Sequence, residues 1–253
     1  MADTGSFADY FSSQSKAYAE FRPRYPDEFI QFTASLPEKR GLLWDCGTGN
    51  GQAAVQLAPF FEKIIATDPS QAQIQNAEEH SKIEYRISSA ESSGLGDHCA
   101  DMICVAQALH WFRFEDFYKE ARRVGASDAF LAAWGYGNLR ISPRLDPIIS
   151  EFYYNRVGAY WPPERRYVDE NYATIPFPFQ KLNAPEFFIR EKWDLDRFVG
   201  YISSWSSVQR YIRTRGEDPL PEIRKELSAI WIGAEEVRWP VFLLAGRLDS
   251  YSP

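Results

Sequence analysis

The chain has 253 residues, of which 45% are hydrophobic, and its formal net charge at pH 7 is −7. This length suits one large domain or a domain with a substantial insertion, and the negative charge disfavours broad binding to nucleic acid or to an anionic membrane. The sequence shows no apolar run long enough to span a bilayer, no secretory signal at its start and no metal-ligand spacing among its three cysteines. We therefore expect one cytoplasmic domain over residues 1–253, with no metal site and no membrane partner.

The first predicted element is an N-terminal arm followed by a short helix, together covering residues 1–36. Pro26 stands in the first turn of the predicted helix, and apolar residues follow it at helical spacing. The preceding segment, which contains Tyr18 and Arg22, is too irregular to form one helix. We expect this arm to lie across a ligand site.

A strand that breaks into a glycine-rich loop comes next. The apolar segment Leu42–Trp44 leads into Asp45, and Gly47, Gly49 and Gly51 follow at every second position. Glycine allows the backbone to turn sharply and to approach a ligand closely. A strand, a glycine loop and a helix in this order are typical of nucleotide-binding proteins.

Strand-like and helix-like segments alternate through the first half, which predicts a parallel, doubly wound sheet. We predict strands over 63–67, 82–87, 100–106 and 129–134, and helices over 52–58, 70–79 and 114–124. The second half contains a mixed helical and loop insertion over 137–185, rich in aromatic residues and prolines. Two further strands, over 186–194 and 237–244, flank a predicted helix over 195–212. We expect the insertion to cover the carboxyl edge of the sheet.

Three polar segments follow the second, third and fourth predicted strands. Asp68 ends the second strand, where a carboxylate can accept hydrogen bonds from both hydroxyls of a ribose. Ala90 and Glu91 follow the third strand, beside which an adenine could lie, and the segment Gln107–Phe112 follows the fourth. Because ligands bind beyond the carboxyl ends of strands in open α/β sheets, these segments and the glycine loop predict one site. A turn residue at Asp68 and an ordinary surface acid at Glu91 are the structural alternatives.

Taken in chain order, these segments resemble the class I S-adenosylmethionine-dependent methyltransferases. The resemblance is greatest to their small-molecule branch, which includes trans-aconitate-type and ubiquinone/menaquinone-type enzymes. The segment Asp45–Gly51 matches the first family motif, Asp68 its ribose-binding acid and Ala90–Glu91 its adenine-side position. The resemblance implies a Rossmann-like α/β fold with a doubly wound sheet of about seven strands, mostly parallel, whose last strand is antiparallel.

The resemblance also implies S-adenosylmethionine as the cofactor. The residues that would bind it are Tyr18, Arg22, Asp45, Gly47, Thr48, Gly49, Asp68, Pro69, Ala90, Glu91 and Gln107. Asp45 would help to hold the amino end of the cofactor, and Arg22 would pair with its carboxylate. The methyl group would pass by in-line displacement to a small-molecule carboxylate or hydroxyl. His110 is the candidate general base, and shaping of the acceptor pocket beside Trp111 is its alternative role.

One family feature is missing, and two other functions stay open. The family usually has a Pro-Gly-Gly turn before the fifth strand, whereas this chain has the segment Val124–Asp128, where we still expect a turn. A nicotinamide-dependent oxidoreductase is one alternative, although the glycine spacing differs from G-x-G-x-x-G and Asp45 would repel a pyrophosphate. A non-catalytic cofactor-binding protein of the same fold is the other. The sequence makes no prediction of the methyl acceptor's identity or of the oligomeric state.

Overall fold

Seven strands form a single sheet in residues 22–248, which are the residues that the structure, a computed structural model, describes. The strands are, in chain order, β1 (Leu42–Cys46), β2 (Lys63–Asp68), β3 (Ile83–Ile87), β4 (Ala100–Ala106), β5 (Gly125–Tyr136), β6 (Phe187–Trp193) and β7 (Glu235–Arg247). They lie in the order β3-β2-β1-β4-β5-β7-β6. The last strand in the chain, β7, is antiparallel to both of its neighbours, and the other pairs are parallel. The predicted Rossmann-like sheet with an antiparallel last strand is confirmed.

Helices lie in every connection between successive strands except the one between β3 and β4. The α-helices of residues 22–248 are α1 (Asp27–Ala34), α2 (Gln52–Leu57), α3 (Gln71–Gln75), α4 (Phe114–Val124), α5 (Asp146–Glu151), α6 (Arg165–Asp169), α7 (Leu195–Ser203), α8 (Ser206–Arg215) and α9 (Leu220–Ser228). A π-helical turn follows α5, and a short 3-10 turn follows β4. None of these helices is long and apolar enough to cross a membrane.

Successive residues of the central strands are buried on opposite faces of the sheet. On β1, Leu43 belongs to a cluster that includes Phe29 of α1, whereas its neighbour Trp44 belongs to a second cluster with Phe117 of α4. All four side chains are fully buried. A strand covered on both faces is mostly apolar, which explains the nearly continuous apolar runs in the sequence, and Asp45 on β1 is a buried exception.

The start of the described chain is extended and packs on the sheet. Residues 22–26 form no helix, and α1 begins directly after Pro26. Tyr25 is buried, with its ring centroid 5.9 Å from that of Trp134 on β5. The predicted site residue Tyr18 lies outside the described residues.

Two predicted helices differ from the structure, and β5 and β7 extend beyond the predicted strands at both ends. The helix predicted over 70–79 ends at Gln75, because Gln73 is its one buried residue and the following polar segment has no apolar face to pack. The helix predicted over 195–212 is two helices, α7 and α8, interrupted where Trp205 takes an extended conformation. At Val124–Asp128, where a turn is expected, β5 begins at Gly125 directly after α4, and the chain then loops out before Phe130, where the register against β4 shifts and Asp128 has a φ of +64°.

The segment between β5 and β6 contacts two different parts of the molecule. Its later part packs on α4, where Tyr118 Oη donates a hydrogen bond of 2.6 Å to Pro176 O. The same part reaches the 3-10 turn after β4 through Tyr172. Its earlier part, containing α5 and α6, packs near α7–α9 through residues such as Tyr153 and Trp205.

Candidate functional site

The glycine loop lies at the point where the chain order of the sheet reverses. β1 pairs with β2 on one side and with β4 on the other. The chain continues from β1 to β2 and β3 on the first side and then returns to β4 on the second, and the loop after Cys46 lies between the two sides. Gly47 N and Thr48 N both donate to Thr67 O, at 2.8 and 2.9 Å, which ties the loop to the end of β2. A crevice at such a position is the usual ligand site of an open α/β sheet.

Asp45 is a fully buried carboxylate beneath the loop. Its Oδ2 accepts a hydrogen bond of 2.6 Å from Thr48 Oγ1, and its Oδ1 accepts one of 3.2 Å from Cys104 Sγ on β4. Burial raises the pKa of Asp45 to about 6, an effect that these hydrogen bonds only partly offset. A cation brought close to the loop would favour the ionised form. Because Asp45 presents no surface, it would act on a ligand mainly through its electric field.

Asp68 joins the end of β2 to the glycine loop. Its Oδ2 accepts a hydrogen bond of 2.9 Å from Gly49 N, and its Oδ1 accepts one of 2.8 Å from Ser70 N. The Asp68 side chain is nearly buried, and the adjoining Pro69 is half-buried. The loop and Asp68, predicted from separate parts of the sequence, are therefore in direct contact.

The space that a side chain at Gly49 would enter is empty. Its φ is +58°, in the left-handed region, and a Cβ added at this position would meet no atom within 4 Å. By contrast, a Cβ at Gly51 would lie 2.2 Å from Tyr85 Oη. Space for a ligand therefore remains at Gly49, next to Asp68. At Gly51 the side chain of Tyr85 already fills the space.

Ala90 and Glu91 lie on the loop after β3. Ala90 is buried, and Glu91 is half-buried, with its Oε1 accepting a hydrogen bond of 3.0 Å from Arg113 N at the start of α4. The negative charge of Glu91 also contributes, after burial and Asp45, to raising the pKa of the Cys46 thiol at the end of β1. The structure thus gives Glu91 a helix-capping contact that the sequence did not suggest.

His110 lies in the 3-10 turn after β4 and is almost fully buried. Its Nδ1 is 2.8 Å from Tyr172 Oη in the segment between β5 and β6. Burial lowers the pKa of His110 to about 3, and the positive charges of Arg165 and Arg22 add to this effect. The imidazole is therefore neutral at physiological pH.

Arg22 and Gln107 meet at Tyr136, the last residue of β5. Arg22 Nη1 donates a hydrogen bond of 2.5 Å to Tyr136 Oη, and Gln107 Nε2 is 3.4 Å from Tyr136 O. Gln107 has a φ of +54°, which turns the chain at the end of β4. Both predicted residues therefore lie at the carboxyl edge of the sheet.

Three contributors to this edge were not predicted. Tyr172 holds His110, Tyr136 holds Arg22, and Cys104 contacts Asp45. Cys104 could have been found from the sequence, since pairing β1 with β4 in parallel places it opposite Asp45. Tyr136 and Tyr172 carry no such signal, because nothing in a list of aromatic residues shows which ones face a site.

The chain is similar to known methyltransferases along most of its length. A family model described as a methyltransferase domain matches residues 44–133. A candidate methyltransferase from Dictyostelium discoideum is 37% identical over 253 residues and covers 96% of both chains. A protein of Saccharomyces cerevisiae, named as a probable S-adenosylmethionine-dependent methyltransferase, is 30% identical over 135 residues, which are 49% of this chain and 45% of that one.

A solved structure gives the same result. A candidate type II methyltransferase from Anaeromyxobacter dehalogenans is 40% identical, with a TM-score of 0.85, over 91% of this chain and 100% of that one. The sheet order and the glycine loop define a nucleotide-binding α/β protein of the Rossmann-like class. More particularly, the chain belongs to the class I S-adenosylmethionine-dependent methyltransferases. It is an enzyme of that family, so a nicotinamide-dependent oxidoreductase is not supported.

Proposed function

We propose that this enzyme transfers a methyl group from S-adenosylmethionine to a small molecule whose nucleophile is a carboxylate or a hydroxyl. The observation that best supports cofactor binding is the open space over Gly49, directly beside the Asp68 carboxylate. Bound S-adenosylmethionine supplies an electrophilic methyl group on a sulfonium, which is already a good leaving group. The protein's contribution is then mainly to position the reactants.

We assign each predicted residue a role in this function. Asp68 would accept hydrogen bonds from the ribose hydroxyls, and Asp45 would stabilise the positively charged amino end through its field. Arg22 would pair with the cofactor carboxylate, for which its planar guanidinium is well suited. Backbone groups of Gly47, Thr48 and Gly49 would line the loop.

The remaining predicted residues would border the same site. Pro69, Ala90 and Glu91 would border the adenosine, and Gln107 would lie near the reacting centre. The insertion over 137–185 would cover the acceptor pocket, an arrangement supported by the contact between Tyr172 and His110. Tyr18, which lies outside the described residues, would belong to an arm that lies across the cofactor.

His110 has two possible roles, and its surroundings favour one of them. A carboxylate acceptor needs no general base, whereas a hydroxyl acceptor does. With a pKa of about 3, His110 is neutral at pH 7 but is a weak base, because its buried imidazole disfavours the charge that proton uptake would create. This favours positioning of the acceptor through the pair with Tyr172 over proton abstraction.

A labelled-methyl transfer assay tests the proposed function. The enzyme is incubated with methyl-labelled S-adenosylmethionine and a panel of small carboxylic acids and phenols, and labelled products are detected by mass spectrometry. We expect transfer to at least one acid or phenol, and we expect His110→Gln to lower kcat by less than about tenfold, since general-base catalysis contributes about a hundredfold or more. A loss of kcat greater than about tenfold, with unchanged KM, would instead support His110 as the general base. Transfer to none of the panel would contradict the proposed acceptor class.

A further inference from the structure

A cavity of about 240 Å³ lies beyond the end of β5, apart from the glycine loop. It is lined by the chain that leaves β5 at residues 137–140, by residues of the α5–α6 region and by α7 and the residue before α8. Its volume equals that of roughly eight molecules of liquid water, which suits a small organic ligand. The cofactor residues assigned above do not line it.

Arg165 is held rigidly at the wall of this cavity. Its Nε donates to Tyr153 Oη at 2.7 Å and to Asp169 Oδ1 at 3.1 Å, and its Nη2 donates to Asn138 Oδ1 at 2.9 Å. The guanidinium also stacks over the Trp161 ring, at 4.7 Å from the ring centroid. A guanidinium fixed in this way loses little further entropy when it binds a ligand.

Arg165 still has donors to offer. Of the five N–H groups of an arginine, the contacts within the described chain use the one on Nε and one on Nη2. Nη1 has no hydrogen-bond acceptor among residues 22–248. The unused N–H groups form the end of the fork that matches the geometry of a carboxylate.

The remaining lining combines positive charge with aromatic surface. Asp169 balances the charge of Arg165, but Arg140 also lines the cavity, and its exposed side chain makes no ion pair within the described residues. Tyr153, Tyr201 and Trp205 contribute aromatic rings to the wall. A negatively charged ligand with a planar apolar body would complement this lining.

The cavity adjoins the candidate reacting centre. Asn171 lines it, and the next residue, Tyr172, is hydrogen-bonded to His110. Arg165 is close enough to His110 for its positive charge to contribute to the lowered pKa of the imidazole. A ligand in the cavity would therefore lie next to the turn that follows β4.

We propose that this cavity binds the carboxylate of an acceptor with a planar apolar body, and that Arg165 is the residue that binds the carboxylate. The ligand is identified as the methyl acceptor on the basis of the proposed function. The recognition of a carboxylate by Arg165 follows from the cavity itself. The arginine sets which acceptors enter, by rejecting neutral molecules of the same shape.

Calorimetry and thermal shift with matched probes test this proposal. Benzoate and phenylacetate are the probes, and benzamide is the neutral analogue of benzoate. For the wild-type enzyme we expect the carboxylates to bind at least about tenfold more tightly than benzamide, because charge-assisted hydrogen bonds exceed neutral ones. Arg165→Gln should abolish this preference.

The control is the neighbouring arginine. Arg166 is exposed and contacts its neighbour Tyr167, so Arg166→Gln should bind benzoate as the wild type does. Equal binding of benzoate and benzamide to the wild type, or binding of neither carboxylate, would overturn the proposal even if Arg165→Gln does not fold. Unchanged benzoate binding in a folded Arg165→Gln variant would also overturn it. Binding of S-adenosylhomocysteine to the wild type is measured separately. If the wild type does not bind it, only the proposed function is contradicted.

Discussion

Asp45 shows how burial of one carboxylate can couple ligand binding to pH. Burial raises its pKa to about 6, so the ligand-free protein keeps a proton there below that pH. A ligand with an ammonium group favours the ionised form and must displace this proton when the pH is low.

We therefore predict that the affinity for S-adenosylhomocysteine rises with pH up to about 6 and is level above it. Below pH 6 the affinity should fall by up to about tenfold per pH unit, the limit for one coupled proton. Isothermal titration calorimetry between pH 5 and 8 measures this change. Asp45→Asn should remove the dependence, and a wild-type affinity that is constant across this range would contradict the coupling.

Glu120 has the opposite shift and stabilises the loop that carries Ala90 and Glu91. Its carboxylate accepts hydrogen bonds from Arg123, from Ser93 N at 2.8 Å and from Ser93 Oγ at 2.5 Å. The contacts with Arg123, followed by those with Ser93, lower the pKa of Glu120 from 4.5 to about 2. Between these values the unfolded chain binds a proton that the folded protein does not, so stability is lost as the pH falls from 4.5 towards 2.

We predict that Glu120→Gln lowers the free energy of unfolding at pH 7 by about 1–3 kcal/mol, the usual loss for a buried charged hydrogen-bonding group. The difference from the wild type should shrink near pH 3. Urea unfolding of the wild type and the variant at pH 7 and at about pH 3 measures this difference in the free energy of unfolding. The matched control is Glu115→Gln on the exposed face of the same helix, which should change stability by less than about 0.5 kcal/mol. An equal effect of the two substitutions would contradict the assignment.

At the level of secondary-structure elements, the glycine loop contains one glycine whose substitution should affect mainly ligand binding and another whose substitution should affect mainly folding. Gly49 and Gly51 both have positive φ, but a Cβ at Gly49 enters open space, whereas a Cβ at Gly51 meets Tyr85. The two positions therefore form a matched pair for mutagenesis.

We predict that Gly49→Ala lowers stability by only about 1–2 kcal/mol, the cost of a left-handed non-glycine residue, while reducing S-adenosylhomocysteine affinity about tenfold or more. Gly51→Ala should destabilise the protein by more than this, because its Cβ also meets the Tyr85 ring. Chemical denaturation and calorimetry distinguish the effects. Wild-type affinity in Gly49→Ala would show that the ligand does not occupy the space above the loop.

Elements whose sequences carry their own pattern were predictable. β4 and α4 have the predicted bounds, because both have a clear apolar pattern. The break between α7 and α8 was not predictable, since it depends on Trp205 packing against Tyr153 from a distant segment. In the same way, Asp68 was found from its place at the end of a strand, whereas the partner of His110 depends on how the insertion folds back.

At the scale of the whole molecule, the sheet brings the loop, Asp68 and the turn after β4 to one carboxyl edge. The antiparallel β7 extends the sheet beyond β5, and the segment between β5 and β6 adds the cavity around Arg165. The cofactor and the acceptor would thus bind on elements from different halves of the chain. Such a division would explain why the sequence predicts the donor of the methyl group and makes no prediction of the acceptor.

The most direct test of the central claim is calorimetric titration of the wild-type enzyme with S-adenosylhomocysteine and, in parallel, with NADH. We expect saturable binding of S-adenosylhomocysteine at about one molecule per chain and no binding of NADH. Asp68→Asn should weaken the binding of S-adenosylhomocysteine about tenfold or more, because charge-assisted hydrogen bonds to the ribose would be lost. Absence of S-adenosylhomocysteine binding, or equal binding of NADH, would contradict the assignment of the site.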